Sequence, residues 1–281
     1  MGSYRYVVCD VFTDRPLEGN QLAVFTDARE LPEEVLQPLA RELKFSETVF
    51  VYPPGDGAHA RLRIFTPAAE IPFAGHPMIG TAFVLGGPLQ LGEIRLETGV
   101  GVVPVTLERE GARIVFGRMS QPVPSVEPFD DVEGLLDDLG VERSELPVEL
   151  YDNGLRHVYV CLASPADVAA VEPDHARLAA RGTVLCVSTF AGSGTTWKTR
   201  MFCPAGGVPE DPATGSAAGP LCVHLCRHGL VPPGQEIEIT QGVEIDRPSK
   251  LYARVEGTPE QIERVEVGGG AVIVARGEFR L

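Results

Sequence analysis

Glu210-Asp211-Pro212-Ala213-Thr214-Gly215-Ser216-Ala217-Ala218-Gly219 is the stretch on which the fold of this chain turns. It sets an acid pair, a glycine-serine turn and the start of an apolar helix side by side. An earlier stretch, Phe73-Ala74-Gly75-His76-Pro77, repeats the device and feeds an apolar run from Met78 to Leu85. A helix N-terminus of this kind leaves backbone N–H groups free to hold an anion. Two of them, if the halves of the chain face each other, would build one anion-binding cleft with acids and a histidine at its rim.

Working outward, the first half reads as strands at Tyr4–Phe12, Leu22–Thr26, Glu47–Val51 and Ala60–Phe65, then Ile94–Thr98, Val103–Glu108 and Arg113–Arg118. A helix is expected over Pro32–Leu43, with Pro32 in its first turn, Glu33 and Glu34 at the positive end of its dipole, and Val35, Leu36, Leu39 and Leu43 on one face. Pro38 conflicts with that helix and should kink or shorten it. The apolar run gives a second helix, Pro77 to Leu85, closed by Gly86-Gly87; it is apolar on nearly every side and so belongs inside the fold.

Pro122, Pro124 and Pro128 mark residues 121–130 as a linker. Beyond it the same order returns: strands at His157–Leu162, Val184–Ser188 and Thr196–Phe202, a short helix near Pro165–Val171, the Asp211–Gly215 turn, and an apolar helix from Ser216 to His228 that Gly229 ends. Ser216 is its natural N-cap, and Pro220 is tolerable if it falls near the first turn. Glu236–Thr240, Ser249–Val255, Arg264–Gly268 and Ala271–Ala275 read as further strands. The expectation is an α+β chain of two pseudo-symmetric domains, each a mainly antiparallel sheet wrapped around a central apolar helix. The domains run over residues 1–120 and 131–270, and residues 271–281 form a C-terminal strand that could return to the first domain.

The 281 residues suffice for two such domains. A net charge of −15 argues against a nucleic-acid binder and against anionic membrane surfaces. A small anionic substrate must then be held by local donors against the overall field. No apolar run reaches the roughly 20 residues that span a bilayer, and the N-terminus lacks a signal-peptide layout, so a cytoplasmic location is expected. The six cysteines are irregularly spaced in a long chain, which argues against a disulfide framework. Cys222, His224, Cys226 and His228 could be drawn as a zinc site, but with no second ligand pair the thiols read better as small apolar positions on a buried helix, and no metal is expected.

Four residues stand out as carriers of chemistry. Glu47 opens a strand directly after a helix. It is either a solvated acid at an element boundary or, if it points into a water-poor cleft, a carboxyl whose pKa rises until it can take and return a proton near neutral pH. His76 is either a packing histidine at a helix start or a group that donates a proton and orients a substrate. Asp211 could be a turn residue and Ser216 only a cap. Together, with three of the four on matching turn-to-helix junctions, they are harder to explain by capping alone. No nucleophile elbow, phosphate loop or dinucleotide fingerprint is present, which favours a reaction without a cofactor.

At these residues the chain resembles the PhzF-like phenazine-biosynthesis isomerases, a family with the diaminopimelate-epimerase fold. The segments that carry the resemblance are Gly19-Asn20, Ser46-Glu47-Thr48, Arg63-Ile64-Phe65-Thr66-Pro67, Phe73 to Pro77, Asn153-Gly154-Leu155-Arg156-His157, Glu210 to Ala217, and Gln241 to Ser249, in order along the chain. The resemblance implies two pseudo-symmetric domains, a homodimer and no cofactor. It also implies proton transfer within a small cyclic amino-carboxylate, trans-2,3-dihydro-3-hydroxyanthranilate. It places the catalytic set on Glu47, His76, Asp211 and Ser216, with Asn20, Ser46, Gly75 and Gly215 binding substrate. Epimerases that share the fold use two cysteines as opposed acid and base; neither glycine turn of this chain carries one, so a two-thiol mechanism lacks its residues.

Overall fold

The structure, a computed structural model, describes residues 2–181 and 185–281. Val184, with which one expected strand begins, lies outside the described residues; that strand is seen from Leu185 to Ser193. The chain divides into two units, residues 2–120 with Gly268–Leu281, and Gln121–Val267.

In the first unit Ala271–Arg280 pairs with Ser3–Val11, and that strand with Asn20–Phe25, both antiparallel. Asn20–Phe25 runs parallel to Glu47–Tyr52, which is antiparallel to Ala60–Phe65. Ala60–Phe65 is parallel to Glu93–Thr98, and the antiparallel strands Gly101–Glu110 and Arg113–Gln121 follow. A parallel pair needs a crossover, and each crossover here is a helix: Glu33–Leu43 for the first pair and Gly75–Leu89 for the second. Gly75–Leu89 is buried through most of its length and touches strands right across the sheet, as a helix apolar on all sides must. Glu33–Leu43 covers the other face. Its Leu36, Leu39 and Ala40 pack with Phe25, Phe50 and Phe65, and the rings of Phe25 and Phe50 stack with centroids 4.9 Å apart.

The second unit repeats the pairing order. Ser125–Pro128, Glu149–Asp152 and Arg156–Cys161 are successively antiparallel. Arg156–Cys161 is parallel to Leu185–Ser193, which is antiparallel to Thr196–Cys203. Thr196–Cys203 is parallel to Ile237–Gln241, which is antiparallel to Ser249–Gly257. Again helices make the crossovers. Pro165–Ala169 and His175–Ala179 serve the first parallel pair, and the buried Gly215–Arg227 serves the second. Two short strands correspond as well, Glu70–Ile71 on Ala60–Phe65 and Val208–Asp211 on Thr196–Cys203. The α+β pattern of two like sheets, each with its own central helix, is therefore internal to each unit.

Several local readings change. Gly86-Gly87 does not stop the first central helix, which runs on to Leu89 before Gln90 turns left-handed at φ 54. A Cβ on Gly86 would stand 2.5 Å from Leu107 Cδ1, so this glycine marks a close helix-to-strand approach. Ser216 is not the N-cap of the second helix. Thr214 holds that position and Gly215 is the first helical residue. Pro220 is therefore beyond the first turn. Residues 121–130 contain the strand Ser125–Pro128, whose last residue, Pro128, pairs with Glu149. Two short helices escaped the sequence reading, Val132–Leu139 and His175–Ala179, each opened by an aspartate whose carboxylate accepts from first-turn N–H groups.

Candidate active site

In the first unit the chain leaves helix Glu33–Leu43 through Lys44, left-handed at φ 57, and passes the half-buried Ser46 to reach Glu47, the first residue of its strand. Parallel pairing sets Glu47 opposite Leu22, two residues after Asn20 opens the neighbouring strand. Gly19, just before Asn20, is left-handed at φ +69, and a Cβ on it would run into the Val11 carbonyl oxygen, so only glycine fits there. His76 enters from the first turn of Gly75–Leu89. These three side chains converge: His76 Nδ1 lies 3.3 Å from Glu47 Oε2 and 3.3 Å from Asn20 Nδ2. The His76 side chain is 3% exposed and that of Glu47 14%. Burial holds the imidazole pKa down at about 3, so the ring is neutral at physiological pH. Ala74 makes no side-chain cap, and no acid occupies the first turn that Gly75 begins. That turn keeps N–H groups for an anion.

The second unit builds its junction differently. The acid pair separates: Glu210 is taken by Arg200 through two bonds of 2.9 and 2.8 Å, while Arg200 Nη1 donates to the Val171 carbonyl at 2.6 Å. Asp211 ends the strand Val208–Asp211 and is buried. Its Oδ2 accepts from Thr214 Oγ1 at 2.6 Å. Gln241 locks the loop between them. Its Nε2 donates to the Asp211 carbonyl (2.8 Å) and to Thr214 Oγ1 (3.0 Å), and its Oε1 accepts from Thr214 N at 3.2 Å.

The first turn of Gly215–Arg227 is held from the side. Pro220 has no N–H, so the carbonyl of Ser216, four residues back, loses its helical partner. Asn153 Nδ2 supplies one at 2.9 Å. Gln121 Nε2 donates to the Gly215 carbonyl at 2.7 Å, and the Tyr159 hydroxyl to the Ala217 carbonyl at 2.6 Å. The carbonyls of Gly215, Ser216 and Ala217 are thus each held by a side chain from elsewhere in the unit, and Ser216 is 3% exposed.

The structure brings Glu47, His76 and Asn20 into contact in one unit, and Asp211, Gly215 and Ser216 onto one junction in the other. Sequence reasoning missed the supporting residues Gln241, Gln121, Asn153 and Tyr159. Asn153 and Gln241 stood in segments already singled out, but nothing local told what they would hold. The thiols of Cys186 and Cys203 lie 3.0 Å apart within the second unit, away from either glycine turn in sequence.

Residues 9–277 match the model of a family described as phenazine biosynthesis-like protein. Among characterised relatives, trans-2,3-dihydro-3-hydroxyanthranilate isomerase of Pseudomonas aeruginosa is 50% identical over 278 residues, covering 99% of this chain and all of the relative. Its Pseudomonas fluorescens counterpart is 47% identical over the same length. Among solved structures, a PhzF-family phenazine biosynthesis protein of Bacillus anthracis superposes over the whole of both chains with a TM-score of 0.87 at 24% identity.

Proposed function

The chain belongs to the phenazine biosynthesis-like protein family, and on that footing we propose that it isomerises trans-2,3-dihydro-3-hydroxyanthranilate by moving one proton within the ring. The observation that carries the chemistry is the contact between Glu47 Oε2 and the neutral, buried His76. A neutral imidazole does not lock Glu47 as half of an ion pair, so the carboxyl can take a proton and give it back.

The proposed step balances without any other reactant. Glu47 as carboxylate removes the proton from the ring carbon that bears the hydroxyl, and the electrons of that C–H bond enter the conjugated diene. The carboxylic acid so formed returns the proton to the ring carbon that bears the substrate carboxylate. The resulting enol then tautomerises to the ketone. His76, Asp211 and Ser216 are proposed to orient the hydroxyl and amino groups and to assist that tautomerisation. Asn20 and Ser46 are proposed to bind substrate, with backbone N–H groups at Gly75 and Gly215 as donors to its carboxylate. One acid serving both carbons requires that bulk water be kept out, since an acidic proton otherwise exchanges.

No helix among the described residues is long and apolar enough to cross a membrane. None of the six cysteines is in a disulfide, and we propose a cytoplasmic location. We infer a homodimer from the family resemblance, to be checked by light scattering on the purified chain.

The test is purified protein with trans-2,3-dihydro-3-hydroxyanthranilate, followed by absorbance and by proton NMR in deuterated water. Loss of the diene signal, abolished in Glu47→Gln, is the expected result, and deuterium at the reprotonated carbon then measures how well the proton is shielded. An intact substrate after prolonged incubation would move the assignment to another small cyclic acid or to a binding role.

A further inference from the structure

The histidines of the second central helix take no part in the proposed isomerisation. His224 and His228 stand four residues apart and so present their rings on one side of Gly215–Arg227. Cys222 and Cys226 share the opposite side, about 200° around the helix from the histidines. The four-residue zinc set drawn from sequence is therefore split by the helix itself. The structure replaces the thiols with a carboxylate from a distant strand, Glu149 of Glu149–Asp152.

Glu149 Oε2 lies 3.3 Å from His224 Nδ1 and 3.0 Å from His228 Nε2, and the three donor atoms all fall within 4.8 Å of one another. Zinc bound by imidazole nitrogen and carboxylate oxygen at ~2.0–2.2 Å needs donor separations of about 3.3 Å around a tetrahedron. The two edges from Glu149 Oε2, at 3.3 and 3.0 Å, are already close to that length. The Tyr151 hydroxyl adds an oxygen 2.8 Å from Glu149 Oε2 and 3.0 Å from His224 Nδ1.

We propose that Glu149, His224 and His228 form a site for a divalent transition-metal ion of the zinc type, clipping the end of the second central helix to the strand Glu149–Asp152. Four features favour a cation there. The donors lie at the C-terminal end of the helix, where the backbone dipole is negative. The Glu149 and His228 side chains are 16% and 20% exposed, which gives an ion a way in, while His224 is fully buried. Arg227 approaches the other Glu149 oxygen, Oε1, at 3.6 Å, so it does not occupy the oxygen that faces the histidines. His224 Nε2 has no hydrogen-bond partner, so it would carry the ring proton when Nδ1 binds metal. The two histidines lie about 12 and 18 Å along the helix from Ser216, at 1.5 Å per residue. Theirs is a structural site, apart from the residues proposed for proton transfer.

Zinc alone tests it. Metal-stripped protein is titrated with Zn2+ against a chromophoric chelator, and Co2+ is then added to read the visible bands of a bound ion. The expected result is one ion per chain, a higher melting temperature with Zn2+, and binding weakened by more than roughly tenfold, or ~1.4 kcal/mol, in both His228→Gln and Glu149→Gln. Because His228 is partly exposed, His228→Gln should fold, and its melting temperature should no longer respond to Zn2+. Cys222→Ala and Glu47→Gln should bind as the parent does. Absence of binding, binding indifferent to His228→Gln, or binding lost in Glu47→Gln would each overturn the assignment, the last by placing the ion on the Glu47–His76 pair.

Discussion

The two turn-to-helix junctions begin alike and are finished differently. Each follows a short strand, reaches a buried helix at a glycine, and sets a polar residue next: Gly75-His76 in the first unit, Gly215-Ser216 in the second. In the first unit the acid comes from another strand, and it meets the histidine in one contact of 3.3 Å. In the second the acid leads into the turn and is tied by Thr214 and Gln241, while Asn153, Gln121 and Tyr159 hold the helix start. In the proposed reaction the first junction carries the proton that moves, and the second, tied by more hydrogen bonds, holds its groups in place. Proton transfer needs one group free to change charge, and positioning needs groups that stay where they are.

Removing the movable proton should have the largest effect. Glu47→Gln is isosteric and keeps a hydrogen-bonding side chain beside His76, so we expect turnover to fall by ~10³-fold or more, with KM and melting temperature near those of the parent. A variant that unfolded, or that retained a tenth of the turnover, would mean that Glu47 is a structural member of the junction. Since His76 is neutral down to about 3, the parent's kcat/KM profile should show no histidine limb between about pH 5 and 8.

Loosening the fixed junction should cost both stability and rate. Gln241→Ala leaves the Asp211 carbonyl and the Thr214 N–H, both buried, without the bonds that hold them. Each such group costs ~1–3 kcal/mol. We expect urea unfolding to report a loss in that range or somewhat above it, and turnover to fall by about 10- to 100-fold as Asp211 shifts. Unchanged turnover in a destabilised protein would separate the Gln241 network from the chemistry.

The difference between the junctions also explains what could be read in advance. Apolar periodicity located both central helices, because a helix buried all round is a local signal. The acids and the histidine stood out by position next to glycine turns. What failed depended on partners far along the chain. Gly86 looks like a helix stop until Leu107 is seen against it. Ser216 looks like a cap until Thr214 is seen bonded to Asp211. Asn153 stands in a segment already singled out but has no evident role until Pro220 is seen to have robbed Ser216 of its helical bond. Ligand sets suffer the same way: spacing joined His224 and His228 to the cysteines of their own helix, whereas the structure joins them to Glu149.

The Asn153–Pro220 pairing is testable as a cycle. Asn153→Ala should cost ~1–3 kcal/mol by orphaning the buried Ser216 carbonyl. Pro220→Ala restores an N–H four residues on, so in the Asn153→Ala background it should recover a part of that loss, giving a coupling of about 0.5–2 kcal/mol by urea unfolding. Strictly additive effects would show that Asn153 acts on something other than the proline's missing bond.

The smallest effect sharpens the comparison from the second unit's side. His157, like His76, is fully buried, and burial brings its pKa down to about 4. Unlike His76 it has no hydrogen-bond partner on either ring nitrogen. Below pH ~6.5 the unfolded chain binds a proton at this histidine that the native state refuses until about 4. The native state binds fewer protons than the unfolded one throughout that window, so stability is full above about 6.5 and drains as the pH falls towards 4. His157→Leu removes this drain and orphans nothing. By urea unfolding it should stand within about 1 kcal/mol of the parent at pH 8, and at pH 5 it should gain on the order of 1–2 kcal/mol relative to the parent. An equal difference at both pH values would show that His157 already carries its proton in the native state. Its packing would then resemble a paired histidine, and the contrast with the neutral His76 would lie in charge rather than in partners.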